Sequence, residues 1–193
     1  MHVQTLQGTT IEPPARIRLI CLAYDRQQLM QYRTWAQTLC DPIELIAADV
    51  PPSVRLDGFD PAQPPCPLAR ALLDKLQPYL AQPHAIFGQG LGAHVAVALT
   101  QLAQNHHPGQ TRHLFVSTYD SPPPRLDITT SLAIQVPMTV LYLPGSLPAM
   151  LGWHSLARQG LELIELPAQS VDTSLLNQRL VRIINTHLGL LSL

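Results

Sequence analysis

The sequence predicts one α/β domain built on a mostly parallel six-stranded sheet with helices on both faces. Three observations lead there. Six apolar runs of strand length recur along the chain, most are separated by stretches of helical spacing, and one of them turns through closely spaced glycines into an apolar-faced helix. Parallel neighbours need a crossover, and a helix between strands supplies it. With 193 residues, 46% of them hydrophobic, the chain is long enough to bury one such core and short for two.

Residues 1–15 are polar and end in a Pro-Pro pair, so they read as a flexible tail, with the domain spanning 16–193. Ile17 to Ala23 is the first strand, Leu29 to Leu39 a helix, and Ile43 to Ala48 the second strand. Ser53 to Pro67 is Pro-rich and reads as a loop. Leu68, Leu72, Leu73, Leu76 and Leu80 then fall at helical spacing, and the strand His84 to Phe87 follows. Val95, Ala96, Leu99, Leu102 and Ala103 mark one face of a helix that stops before Pro108 and Gly109. His113 to Thr118 and Met138 to Leu143 are two further buried strands, joined by a Pro-rich linker at Ser121 to Pro124 and a weakly amphipathic stretch near Leu126 to Ile134. Pro148 to Gln159 reads as helix and Leu161 to Leu166 as the sixth strand. Leu176, Leu180, Ile183, Ile184, Leu188 and Leu191 form the apolar stripe of a terminal helix.

Charge and hydropathy narrow the function classes. Only 13% of residues are charged, the formal net charge is -1, and the basic residues are eleven scattered arginines and Lys75, a pattern that disfavours nucleic acid as a partner. A mean hydropathy of +0.10 with so few charges implies exposed apolar surface and favours a protein partner. No apolar run reaches the ~20 residues of a membrane span, and the N-terminus lacks the order of a signal peptide, so the expected location is the cytoplasm. Cys21, Cys40 and Cys66 are widely spaced with no C-x-x-C, which suggests neither a disulfide framework nor a zinc site. Cys21 and Cys40 read as core residues, and no metal or cofactor is expected.

Chemistry in a parallel sheet gathers at the carboxyl ends of the strands. The segment Phe87-Gly88-Gln89-Gly90-Leu91-Gly92-Ala93-His94 lies at such an end, in the strand-turn-helix context of the G-x-S-x-G nucleophile elbow. In that elbow a serine hydroxyl projects from a strained turn, and the following N–H and the helix N-terminus stabilise an oxyanion. Gly90 holds the central position here and carries no side chain. A G-x-G-x-x-G dinucleotide reading fails: the third glycine, Gly92, comes one residue early, and no ribose-binding acid stands ~20 residues on, where Asn105-His106-His107 is found.

Taken in order, several segments resemble the type II thioesterases of polyketide and nonribosomal peptide synthesis, which are α/β-hydrolase proteins that release acyl groups from carrier-protein pantetheine arms. They are Ile17 to Tyr24, Tyr32-Arg33-Thr34-Trp35-Ala36, Ile43 to Pro51, the glycine elbow, and His113-Leu114-Phe115-Val116-Ser117. The resemblance spans about Arg16 to Leu188 and implies an α/β-hydrolase-like fold. It also implies a Gly-rich oxyanion turn after the first strand, where this chain reads Tyr24-Asp25-Arg26-Gln27-Gln28. The implied triad acid would follow Leu143, where Pro144-Gly145-Ser146-Leu147-Pro148 stands, and the implied base His would fall in Leu166 to Asp172, which holds no imidazole. The implied helical lid would lie between Thr118 and Met138, a span that leaves it reduced or absent. Acyl transfer needs nucleophile, base, orienting group and oxyanion donors together, so coordinated loss at separate positions predicts a pseudoenzyme.

Other residues are weighed on their own patterns. Tyr24, His94, Ser117 and Asp120 could line a residual pocket, although His94 one turn into its helix reads first as a packing residue. His106-His107 reads as a helix end near the negative dipole. Cys66, in a Pro-rich loop, has no basic neighbour in sequence to activate its thiol. Trp35, Trp153 and His154 are candidate partner contacts, since Trp is enriched at interface hot spots, with burial of both tryptophans in the core as the equal alternative. The expected partner is a polyketide or nonribosomal peptide synthase, a carrier protein or a tailoring enzyme, with a homodimer also compatible. The alternatives are an acyl-thioester hydrolase or other enzyme with a displaced active site, and a small-molecule binding protein.

Overall fold

The computed structural model describes residues 3–6, 17–50, 67–118, 133–168 and 173–191. Seven strands form one sheet in the order β1-β3-β2-β4-β5-β6-β7, with β1 (Val3–Leu6), β2 (Ile17–Ala23), β3 (Ile43–Asp49), β4 (His84–Gln89), β5 (Thr111–Ser117), β6 (Met138–Tyr142) and β7 (Leu161–Glu165). The pairings among β2 to β7 are all parallel, as the burial of nearly every residue in β2, β4, β5 and β6 requires.

The seventh strand corrects the sequence reading. Val3–Leu6, expected to be part of a flexible tail, pairs antiparallel with β3, Val3 opposite Ala48 and Leu6 opposite Leu45. Its order comes from a ladder with a distant strand rather than from its own four residues. The expected loop at 53–66, the Ser121 to Pro124 linker and most of the following amphipathic stretch lie outside the described residues, so the lid expectation does too. Ala133 and Ile134 at the end of that stretch are buried, and Ile134 bridges to Ala157.

The helices are α1 (Arg26–Ala36), α2 (Pro67–Leu80), α3 (Leu91–His106), α4 (Leu147–Met150) and α5 (Thr173–Leu191). Helix α1 starts three residues before the expected position because Asp25 caps it, its Oδ1 accepting the Gln28 N–H at 2.7 Å. The expected helix at 148–159 is shorter: α4 passes at Leu151–Ser155 into a 3-10 turn. There the poor helix former Gly152 is followed by Ser155, whose hydroxyl donates back to the Gly152 carbonyl at 2.8 Å.

Two apolar layers sandwich the sheet. One face packs Leu72, Leu76, Val95, Leu99, Met150 and Trp153 from α2, α3 and the α4 segment onto Ile20, Ile86 and Val140. The other packs Tyr32 and Trp35 of α1 and Leu180, Ile184 and Leu188 of α5 onto Leu19, Cys21 and Phe87. The connection after β2 runs to one side, to β3, whereas the one after β4 runs to the other, to β5. The carboxyl ends of β2 and β4 therefore flank the topological switch point, the crevice where ligands bind in open α/β sheets.

Candidate functional site

The glycine elbow stands at that switch point. Gly90 follows β4 with φ 56° and ψ -122°, a conformation that costs an L-residue strain and a glycine nothing. Its N–H donates to the Ser117 carbonyl at 2.8 Å and its carbonyl accepts the Ala93 N–H at 3.0 Å, so the sharp turn is held by backbone bonds alone. A Cβ built on Gly90 would have no heavy atom within 4 Å, whereas one on Gly88 would lie 2.2 Å from the Gly92 carbonyl oxygen and 2.6 Å from the Ala96 Cβ. Gly88 thus lets α3 pack directly against β4, and the shape of a nucleophile elbow persists around a central position without a side chain.

The neighbouring turn, after β2, is tied to α1. Tyr24 N–H donates to Gln28 Oε1 at 2.8 Å, so the backbone after β2 is tied to the first turn of α1. The Tyr24 ring lies against Gly92, its Cε2 3.2 Å from where a Cβ on Gly92 would stand, and its phenolic oxygen is buried. Leu91 opens α3, and the first N–H groups of a helix have no intrahelical partner.

Of the expected residual-pocket residues, Tyr24, Ser117 and the elbow meet at the switch point. Ser117 is 8% exposed and takes part through its carbonyl. Asp120 and Cys66 lie outside the described residues. His94 stacks on Trp153 with ring centroids 6.3 Å apart and 19° between planes, the packing role the sequence suggested. Leu143 to Pro148 and Leu166 to Ala168, after β6 and β7, bring neither carboxylate nor imidazole to the carboxyl edge. Gln89 is a residue whose role the sequence did not reveal. Its Oε1 is buried beside Gly90 with no hydrogen-bond partner among the described residues.

Of the two roles the sequence left open for the tryptophans, the structure shows burial in the core rather than exposure as partner contacts. Trp35 is 1% exposed and meets Tyr32 and Phe87 edge-on at 5.2 and 5.1 Å between centroids, with its indole N–H donating to Asn177 Oδ1 at 3.1 Å. Trp153 is fully buried between Met150, Leu156 and His94. Burial of these large aromatic surfaces anchors the two layers. His154 is exposed. Among the described residues, the exposed large apolar side chains are instead Met30, Leu91, Leu147, Leu151 and Leu175.

Two cysteines and two histidines are shaped by burial. Burial pushes the Cys21 thiol well up and the Cys40 thiol up, which keeps both as inert thiols. Cys40 is half-buried rather than core. His84 and His113 are buried and bonded to Thr111 Oγ1 and Thr139 Oγ1, each at 2.9 Å. Burial lowers their pKa values to about 4 and about 3, so neither is a base poised at neutral pH.

No family model matches the chain, and no curated protein matches it in sequence. Solved structures do. The RedJ thioesterase from the prodiginine biosynthetic pathway in Streptomyces coelicolor superposes with a TM-score of 0.69 at 19% identity, over 93% of this chain and 90% of that one. The type II thioesterase BorB from the borrelidin biosynthetic cluster gives 0.69 at 14% identity, over 96% and 97%. ClbQ from the colibactin NRPS/PKS pathway gives 0.63 at 18% identity, over 90% and 97%. With its parallel sheet, glycine elbow and flanking helices, the chain has the α/β-hydrolase fold in the form found in type II thioesterases of natural-product pathways.

Proposed function

We propose that this chain is a noncatalytic thioesterase-like protein that binds a synthase, carrier domain or tailoring enzyme of a polyketide or nonribosomal peptide pathway. The observation that carries this reading is Gly90 itself: the elbow has a positive-φ turn with open space above it, yet holds no nucleophile. No acid stands in Leu143 to Pro148 after β6, no imidazole occurs between Leu166 and Asp172, and the Tyr24 N–H is committed to Gln28. Acyl transfer by this fold depends on those groups acting as a unit.

The surface left for a partner is apolar. Leu91, Leu147 and Leu151 are 58%, 43% and 56% exposed, in segments that follow the carboxyl ends of β4 and β6. The stacking of His94 on Trp153 brings the first turn of α3 beside the Leu151–Ser155 turn. Pull-down of the tagged chain from the producing cell, with mass spectrometry, tests the reading. A synthase, carrier protein or tailoring enzyme should be retained, and Leu91→Asp with Leu151→Asp should abolish its retention. Recovery of the chain alone would count against the scaffold and favour a homodimer or a ligand site.

A second reading, a small-molecule binding protein, draws on the open space at Gly90, where a built Cβ would meet no heavy atom within 4 Å.

A further inference from the structure

Helix α5 carries two arginines and a histidine and no carboxylate. Between it and β7, whose outer edge is unpaired in the described sheet, lies a half-open cavity of about 830 Å³, within the size range of small-molecule sites. Its apolar wall includes Ile164, Leu175 and Ile183, and Arg179, Arg182 and His187 also line it.

Charge in this cavity is unbalanced. Arg179 and Arg182 are three residues apart, on neighbouring positions of the helix surface, and neither guanidinium has an ion pair or hydrogen bond among the described residues. Glu162 is the carboxylate among the described lining residues, and it is already engaged, its Oε2 2.6 Å from His187 Nε2. The other ring nitrogen, Nδ1, faces the Ile183 carbonyl at 2.7 Å. With that carboxylate engaged, two arginines stand against one acid in the described lining. Two uncommitted guanidinium groups remain beside an apolar wall.

We propose that the α5–β7 cavity is a second binding site, separate from the glycine elbow, for an amphiphilic anion: a carboxylate or phosphate head on an unbranched acyl or alkyl chain. The head lies on the paired forks of Arg179 and Arg182, whose planar donors match both oxyanions. The chain lies along Ile164, Leu175 and Ile183, removing their exposed surface from water.

Calorimetric titration of the full chain with octanoate, octyl phosphate and octanol tests the site. At least one anion should bind about tenfold or more tightly than octanol, and the R179Q/R182Q double variant should weaken that anion about tenfold or more while keeping its melting temperature. Tighter octyl phosphate identifies a phosphate ligand, and octanoate binding as tightly or more so identifies a carboxylate. Octanol matching both anions, unchanged binding in R179Q/R182Q, or no saturable binding of either anion below its micelle concentration would overturn the proposal.

Discussion

The Gly90 N–H donates to the Ser117 carbonyl at 2.8 Å and so fastens the tip of the elbow to the end of β5. Because this bond uses only backbone, the turn does not depend on a side chain at position 90. Gly90→Ser should fold. The new Cβ meets no heavy atom within 4 Å, but a backbone at φ 56° and ψ -122° costs an L-residue about 1–3 kcal/mol, a fall of roughly 2–12 °C in melting temperature. Thermal unfolding by circular dichroism checks it.

Gly88 should be far less tolerant. Its Cβ would press on the Gly92 carbonyl and on Ala96, both fixed on α3, and the helix must shift to admit it. Gly88→Ala should destabilise by about 3 kcal/mol or more in urea unfolding, clearly beyond Gly90→Ala. Equal effects of the two would show that α3 does not sit on β4 as closely as described.

Asn177 joins α5 to α1. Its Oδ1 accepts both Gln31 Nε2 at 2.7 Å and the indole N–H of the buried Trp35 at 3.1 Å. Asn177→Ala leaves that indole donor without a partner and should cost about 1–3 kcal/mol in urea unfolding. Addition of Gln31→Ala should cost less than its effect alone, because the two share one acceptor.

Acid should loosen the fold through two histidines. His84 and His113 titrate at about 4 and about 3 in the fold because burial disfavours their charged forms, against about 6.5 in an unfolded chain. Between these values the unfolded state binds more protons. Their contribution is therefore complete above about pH 6.5 and is lost as the pH falls, by up to ~1.4 kcal/mol per pH unit per histidine, until about pH 4 for His84 and pH 3 for His113. Urea midpoints measured from pH 7 to pH 4 should fall, and should fall less in His113→Gln.

What the sequence reveals follows where local pattern and tertiary structure agree. The buried strands were legible because continuous apolar runs such as Ile17 to Ala23 can only be covered on both faces. The elbow was legible because Gly88, Gly90 and Gly92 each answer a backbone demand at the strand-helix junction. Val3–Leu6 was not, since four residues carry too little periodicity and their pairing with β3 is set at long range. The tryptophans had a readable signal: Tyr32 with Trp35, and Met150, Trp153 and Leu156, repeat at helical spacing toward the core. Gln89 and the α5–β7 cavity had none, because each depends on which elements meet in space.

Hydrolysis of an acyl-pantetheine by the purified chain, beside Gly90→Ser and a buffer blank, tests the central claim most directly. The account predicts no rate above buffer for either protein, because a serine at position 90 gains no base, no acid and no second oxyanion donor. Saturable turnover by the unaltered chain would contradict it.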